Sequence, residues 1–152
     1  MQEDLSKYDT FGVAVGNLHS AQDPNLEYWL KEQVGREAAD VVAQEISVSS
    51  EQVAILDKLE VDPAARGEGR GRALLKEFIE EALDRGADGV ILVADTYGPQ
   101  STDIDLIRFY ESNGFVEVAD SHSGPLMAYP AEFARSLQDA VFNCSPSLRA
   151  FA

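Results

Sequence analysis

Residues 66 to 72 concentrate the positive charge of an otherwise acidic chain. Arg66, Arg70 and Arg72 are three of only twelve Lys and Arg residues, and they are interleaved with Gly67, Glu68, Gly69 and Gly71. Glycine lets backbone N–H groups approach a ligand closely, and arginine adds charge and directed donors, so the stretch suits an anion and above all a phosphate. Just upstream, Asp57 and Glu60 punctuate an apolar run and could each receive a proton through water. Asp95 offers a third carboxylate. His19 and His122 are isolated and read as surface or loop residues, and Cys144 has no neighbour suited to a disulfide or a metal site.

Two phosphate-loop designs fail against these residues. A Walker loop ends in Gly-Lys-Ser/Thr, whereas Gly71 is followed by Arg72 and Ala73, with no hydroxyl for magnesium. A dinucleotide fingerprint needs its third glycine where Arg72 stands.

The elements around the loop can be read from periodicity. Val53 to Val61 has the apolar density of a strand, and alternation places Ile55, Asp57, Leu59 and Val61 on one face with Glu60 on the other. Pro63 ends it. From Arg70 the pairs Leu74-Leu75, Phe78-Ile79 and Ala82-Leu83 recur every four residues, a broad helical stripe that Gly86 stops. Gly89 to Ala94 is continuously apolar, so 53 to 94 reads as strand, helix, parallel strand with a right-handed crossover. The glycine turn then sits at the carboxyl end of a central strand.

Downstream, Ser101 or Thr102 can cap a helix carrying Asp103 and Asp105 in its first turn and ending at Gly114. Phe115 to Val118 and Pro125 to Tyr129 form two antiparallel strands, and Phe133, Leu137 and Val141 mark an amphipathic terminal helix. Upstream, residues 1 to 10 are polar and read as frayed before a strand at Phe11 to Leu18. Leu26, Trp29, Leu30, Val34, Ala38, Val42 and Ile46 keep helical spacing, but Gly35 leaves open a helix to Val34 followed by a strand from Val41 to Val48.

With 152 residues, 45% of them apolar, the chain suits one domain with its own core. No apolar run is long enough for a membrane span and the N-terminus lacks a signal-peptide pattern, so a cytoplasmic protein is expected. A net charge of −15 argues against nucleic acid as a partner and favours a cationic small molecule, although solvated acidic faces alone would give the same composition.

A third loop pattern, Gln/Arg-x-x-Gly-x-Gly/Ala, is satisfied by Arg66-Gly67-Glu68-Gly69-Arg70-Gly71, and Ile107-Arg-Phe-Tyr110-Glu-Ser-Asn-Gly114-Phe115 follows at a fitting separation. Together these resemble the GNAT superfamily of N-acetyltransferases over about residues 53 to 129. The resemblance implies an α/β fold with a mostly antiparallel sheet and a parallel β-α-β core. It implies acetyl-CoA as co-substrate, with no metal, its pyrophosphate held by Arg66, Gly67, Glu68, Gly69, Arg70, Gly71 and Arg72. The pantetheine arm would lie along Leu59 and Val61, where a backbone N–H near Val61 polarises the thioester carbonyl. Tyr110 would be the proton donor to the departing thiolate, and Asp57 or Glu60 the base. Asp103 and Leu106 stand where many members carry Asn and Ala beside the CoA arm. The implied reaction is acetylation of a primary amine in a ternary complex. Competing expectations are a CoA-binding regulatory module without turnover and a homodimer joined through the terminal helix.

Overall fold

The computed structural model describes residues 2–9, 12–62, 69–94, 103–121 and 123–144. Its strands are β1 (Gln2–Asp4), β2 (Lys7–Asp9), β3 (Gly12–Ser20), β4 (Gln52–Val61), β5 (Gly89–Val93), β6 (Val116–Ser121) and β7 (Gly124–Tyr129). Its helices are α1 (Pro24–Val34), α2 (Arg36–Ser49), α3 (Arg70–Asp84), α4 (Asp103–Ser112) and α5 (Ala131–Cys144). The strands form a single sheet in the order β1-β3-β4-β5-β7-β6, with β2 also pairing β3. Among the described strands only β4 and β5 run parallel, around the α3 crossover. This is the mixed, mostly antiparallel sheet expected from the sequence.

Two expectations for the N-terminal third need correction. The polar residues 2–9 are not frayed: β1 and β2 pair with the two halves of β3, and Leu5 between them is buried, its N–H donating to the Gly16 carbonyl. Backbone pairing at a sheet edge needs no apolar pattern, so their polar side chains hid them. The strand considered for Val41 to Val48 is instead part of α2, whose buried Ala38, Ala39, Val42 and Ile46 keep helical spacing. Gly35, at φ 83°, separates the two helices, so the glycine breaks the pattern by turning the chain between helices.

The sheet has a core on each face. Val90 and Leu92 join Phe78, Leu74 and Phe115 beneath α3 and α4, while Ile91 joins Leu30, Val42 and Leu137 beneath α1, α2 and α5. The clean alternation along β5 explains why its sequence is apolar throughout. Among the described residues, no helix is long and apolar enough to cross a membrane.

A β-bulge in β4 controls what each face of its carboxyl end carries. Val15 pairs with Lys58 but the next residue, Gly16, pairs with Leu56, so Asp57 is an extra residue in the ladder. The insertion reverses the alternation. Ala54 and Leu56 pack on the α3 face, and so do Leu59 and Val61, whereas Ile55 and Asp57 border a cavity on the α1 face. Glu60 therefore shares a face with Asp57, correcting the expectation that the two carboxylates lie on opposite faces and that Asp57 lies beside Leu59. Gly16 is required at the crossing, because a Cβ there would run into the Ile55 carbonyl and the Phe78 ring.

Candidate active site

The glycine turn delivers the chain into α3. Gly69 precedes the helix in the left-handed region, φ 78° and ψ 10°, and has open space where a Cβ would stand. As a glycine it has no side chain to cap the helix, so the first-turn amides, which by geometry have no partner within the helix, face the loop end. Arg70 is partly exposed and Arg72 exposed at that positive dipole end. Arg66, Gly67 and Glu68 lie outside the described residues, as do Asp95, Tyr97, Ser101, Thr102 and His122.

Three elements meet beside this turn. A Cβ on Gly71 would lie 3.5 Å from Val61 Cγ2 and 3.6 Å from Phe109 Cζ, so the end of β4, the first turn of α3 and α4 are in mutual reach. The described pairing of β4 with β5 stops short of this point. Their paired register ends at Leu56 and Leu92; beyond it Lys58 to Val61 pair with β3, and Ala94 N–H donates to the Pro125 carbonyl beside β7.

Tyr110 lies on α4 within the core on the α3 face of the sheet. It is 6% exposed, and its ring meets Phe109 and Phe115 edge-on at centroid separations of 5.3 and 5.7 Å. Burial pushes its phenol up to about 12. A phenol held there keeps its proton across the neutral range, so it can donate a hydrogen bond or a proton but cannot act as a base. Asp103 starts α4, seven residues before it.

On the α1 face, a cavity of about 190 Å³ is lined by Asn17, His19, Asn25, Tyr28, Trp29, Glu32, Ile55 and Asp57. Much of the Asp57 residue is open to solvent, yet its carboxyl faces protein, and burial pushes its pKa up against the opposing influence of His19 and of a hydrogen bond with Trp29. Trp29 packs partly buried against the α1-side core and also holds this carboxyl. Glu60 is exposed and pairs with Lys58 at 3.4 Å, which directs it to the surface.

His19 departs most from its sequence reading. It is 5% exposed on β3, with Nδ1 3.2 Å from Asp23 Oδ2. Asp23, 6% exposed, also caps α1 by accepting the Asn25 N–H at 2.9 Å. Burial raises its pKa, but the Asn25 N–H and His19 outweigh that and hold it below the usual carboxylate range. Asp23 at the cap and Pro24 in the first turn suit the start of α1. That its second oxygen would meet His19 depended on the turn after β3, which sequence periodicity does not describe. A larger cavity of about 460 Å³ lies between α1 and α2, lined by residues such as Glu27, Asp40 and Ser47.

Comparison with known proteins agrees with this architecture. A family profile described as an acetyltransferase (GNAT) domain matches residues 24–117, more than half of the chain. No curated protein sequence matches it. Among solved structures, the anti-CRISPR protein AcrVA5 aligns at TM-score 0.54 and 19% identity, covering 84% of this chain and 98% of its own. A PaiA N-acetyltransferase from Thermoplasma acidophilum, solved in complex with coenzyme A, aligns at TM-score 0.54 and 15% identity over 84% of this chain and 61% of its own. A NatC complex bound to Gag peptide and CoA gives the same score at 15% identity, covering 83% of this chain and 70% of the NatC chain. At such identities these structures speak to the fold, while the profile speaks to the family. The chain belongs to the GNAT acetyltransferase family and is an acyltransferase.

Proposed function

We propose that the protein transfers the acetyl group of acetyl-CoA to a primary amine by direct attack in a ternary complex. The observation that carries this reading is the meeting of the α3 first turn, the end of β4 and the Tyr110 helix, with a carboxylate-bearing cavity on the opposite face of β4. The PaiA and NatC structures were solved with CoA, which supports a CoA ligand here. Its pyrophosphate would sit on the turn from Arg66 to Gly71 and on Arg70 and Arg72, where backbone amides and a helix dipole favour an anion. Its pantetheine arm would run along Leu59 and Val61 with Asp103 nearby, and a backbone N–H near Val61 would polarise the thioester carbonyl.

Tyr110 would then serve the departing sulfur. A phenol near 12 facing a thiol of about 8.5 in water transfers its proton uphill, by about 4–5 kcal/mol if the thiol kept its solution value. The same burial raises a thiolate's proton affinity, so the gap closes where both groups are desolvated. Asp57, whose carboxyl faces the α1-side cavity, would receive the acceptor's ammonium. Glu60, exposed and paired with Lys58, is the weaker candidate for the base. The acidic surface favours a cationic acceptor.

The test combines acetyl-CoA calorimetry with thiol release over a panel of 1,4-diaminobutane, an aminoglycoside and a lysine-containing peptide. Saturable heat and amine-dependent thiol release are expected. Heat without release from any amine would identify a CoA-binding module, and the absence of both would overturn the reading.

A further inference from the structure

We infer that the cavity between β3, β4 and α1 is a recognition site that selects a primary alkylammonium ion, with Asp57 gripping the charged head and Trp29 and Ile55 taking the alkyl chain. This deepens the acetyl-transfer reading, on which only the fate of the bound amine rests; the site itself is a matter of equilibrium binding.

The β4 bulge builds its floor. Asn17 stands opposite Ile55 in the β3–β4 ladder, and directly opposed side chains share a face, so the Asn17 amide and the Ile55 side chain lie together, with Asp57 bordering the same space. Helix α1 supplies the wall, where Trp29 hydrogen-bonds the Asp57 carboxyl and Tyr28 hydrogen-bonds Glu32. Ile55 is buried and Tyr28 is 63% exposed, so the cavity runs from an apolar floor to a solvent-exposed rim.

Its carboxylates lack matching cations. Among the described residues no Lys or Arg borders the cavity, and neither Asp57 nor Glu32 is ion-paired with one. Of the described lining residues only His19 can carry positive charge, and its Nδ1 lies 3.2 Å from the Asp23 carboxylate, which balances it. Burial disfavours the ionised form of Asp57, a cost that a bound cation would offset.

The polar groups present also select the form of the cation. An R–NH₃⁺ head has three donors and no acceptor, and the Asp57 carboxylate and the side-chain carbonyls of Asn17 and Asn25 are acceptors bordering one space. The Trp29 ring adds a face that attracts the charge and packs against the first methylenes. A quaternary ammonium has no N–H to give and would desolvate Asp57 without a hydrogen bond in return. A guanidinium fork is best met by both oxygens of one carboxylate, and Trp29 already holds the Asp57 carboxyl. A volume of about 190 Å³, room for roughly six waters, suits a short chain such as that of butylamine.

Trp29 is the sole tryptophan of the chain, so intrinsic fluorescence reads this cavity directly. Native protein and Asp57→Asn are titrated at pH 7 with butylammonium, tetramethylammonium and guanidinium chlorides, at constant ionic strength and without acetyl-CoA. Butylammonium should give a saturable change in Trp29 emission, with a Kd at least about tenfold below those of the other two cations. That Kd should rise several-fold in Asp57→Asn, whose far-ultraviolet circular dichroism reports the fold. No saturable change, one common response to all three cations, or a folded Asp57→Asn that binds as the native protein does would overturn the site. Should Asp57→Asn fail to fold, the order of the three cations on native protein decides. Acetyl-CoA is then added and products are followed by mass. N-butylacetamide would identify the bound amine as the acceptor. Its absence, while another panel amine is acetylated, would identify the cavity as the seat of an effector amine, and the site stands in either case. Saturable binding with no amine acetylated at all would overturn acetyl transfer alone.

Discussion

The two faces of β4 at its carboxyl end have different surroundings although they are built from neighbouring residues. On the α3 face Leu59 and Val61 pack against the apolar core beside a glycine-led helix start and Tyr110. On the α1 face Asp57 meets Trp29, His19 and a small polar cavity. One extra residue at the bulge separates them, putting Asp57 on the α1 face and Leu59 on the other. An apolar, dipole-ended face suits a cofactor arm and its pyrophosphate, whereas a carboxylate-lined cavity suits an ammonium. On the proposed reading, a single insertion in one strand would divide two binding tasks.

The largest effects should come from the α3 face. Tyr110→Phe is expected to lower kcat on the order of a hundredfold while leaving the acetyl-CoA heat unchanged, so loss of both would assign Tyr110 to packing instead. The same residue has an alkaline signature. Below pH 10 tyrosine is protonated in folded and unfolded chains alike. Between pH 10 and about 12 only the unfolded chain ionises, so folding stability falls with rising pH, by about 3 kcal/mol at the limit. Ultraviolet titration should find one of the five tyrosines ionising near pH 12, and Tyr110→Phe should remove it.

Gly16→Ala tests the bulge itself. Its methyl would meet the Ile55 carbonyl and Phe78, and a loss of about 1–3 kcal/mol is expected in urea unfolding. An unchanged midpoint would mean that the crossing is not tight. Replacing Arg70 and Arg72 together by Ala should weaken acetyl-CoA about tenfold, less at high salt, with the amine KM untouched. Asp57→Asn should do the reverse, raising the amine KM several-fold and leaving acetyl-CoA binding alone. A swap of these two outcomes would invert the assignment of faces.

The α3 face was the more legible one. Its helix announces itself by a four-residue recurrence of apolar pairs, and its glycines mark the turn before it. The α1 face was misread because strict alternation was carried through residue 57. The bulge had left a trace: apolar residues fall at Ala54 and Leu56, then at Leu59 and Val61, a step of three where a regular strand steps by two. His19 was missed for a different reason. Its partner Asp23 is four residues on across a turn, and only the folded turn brings the imidazole back to that carboxylate. The edge strands β1 and β2 pair through their backbones, and nothing in Gln2–Asp4 or Lys7–Asp9 encodes that pairing as a side-chain pattern.

The division of labour across β4 is open to one direct measurement, amide and indole NMR shifts during titration first with acetyl-CoA and then with a panel amine. Acetyl-CoA alone should move the amides of Leu59, Val61 and Gly69 to Arg72 and leave the Trp29 indole N–H in place. The amine should then move that indole signal. Shifts confined to the α1–α2 cavity, or a Trp29 response to acetyl-CoA with silence from residues 69 to 72, would contradict the account.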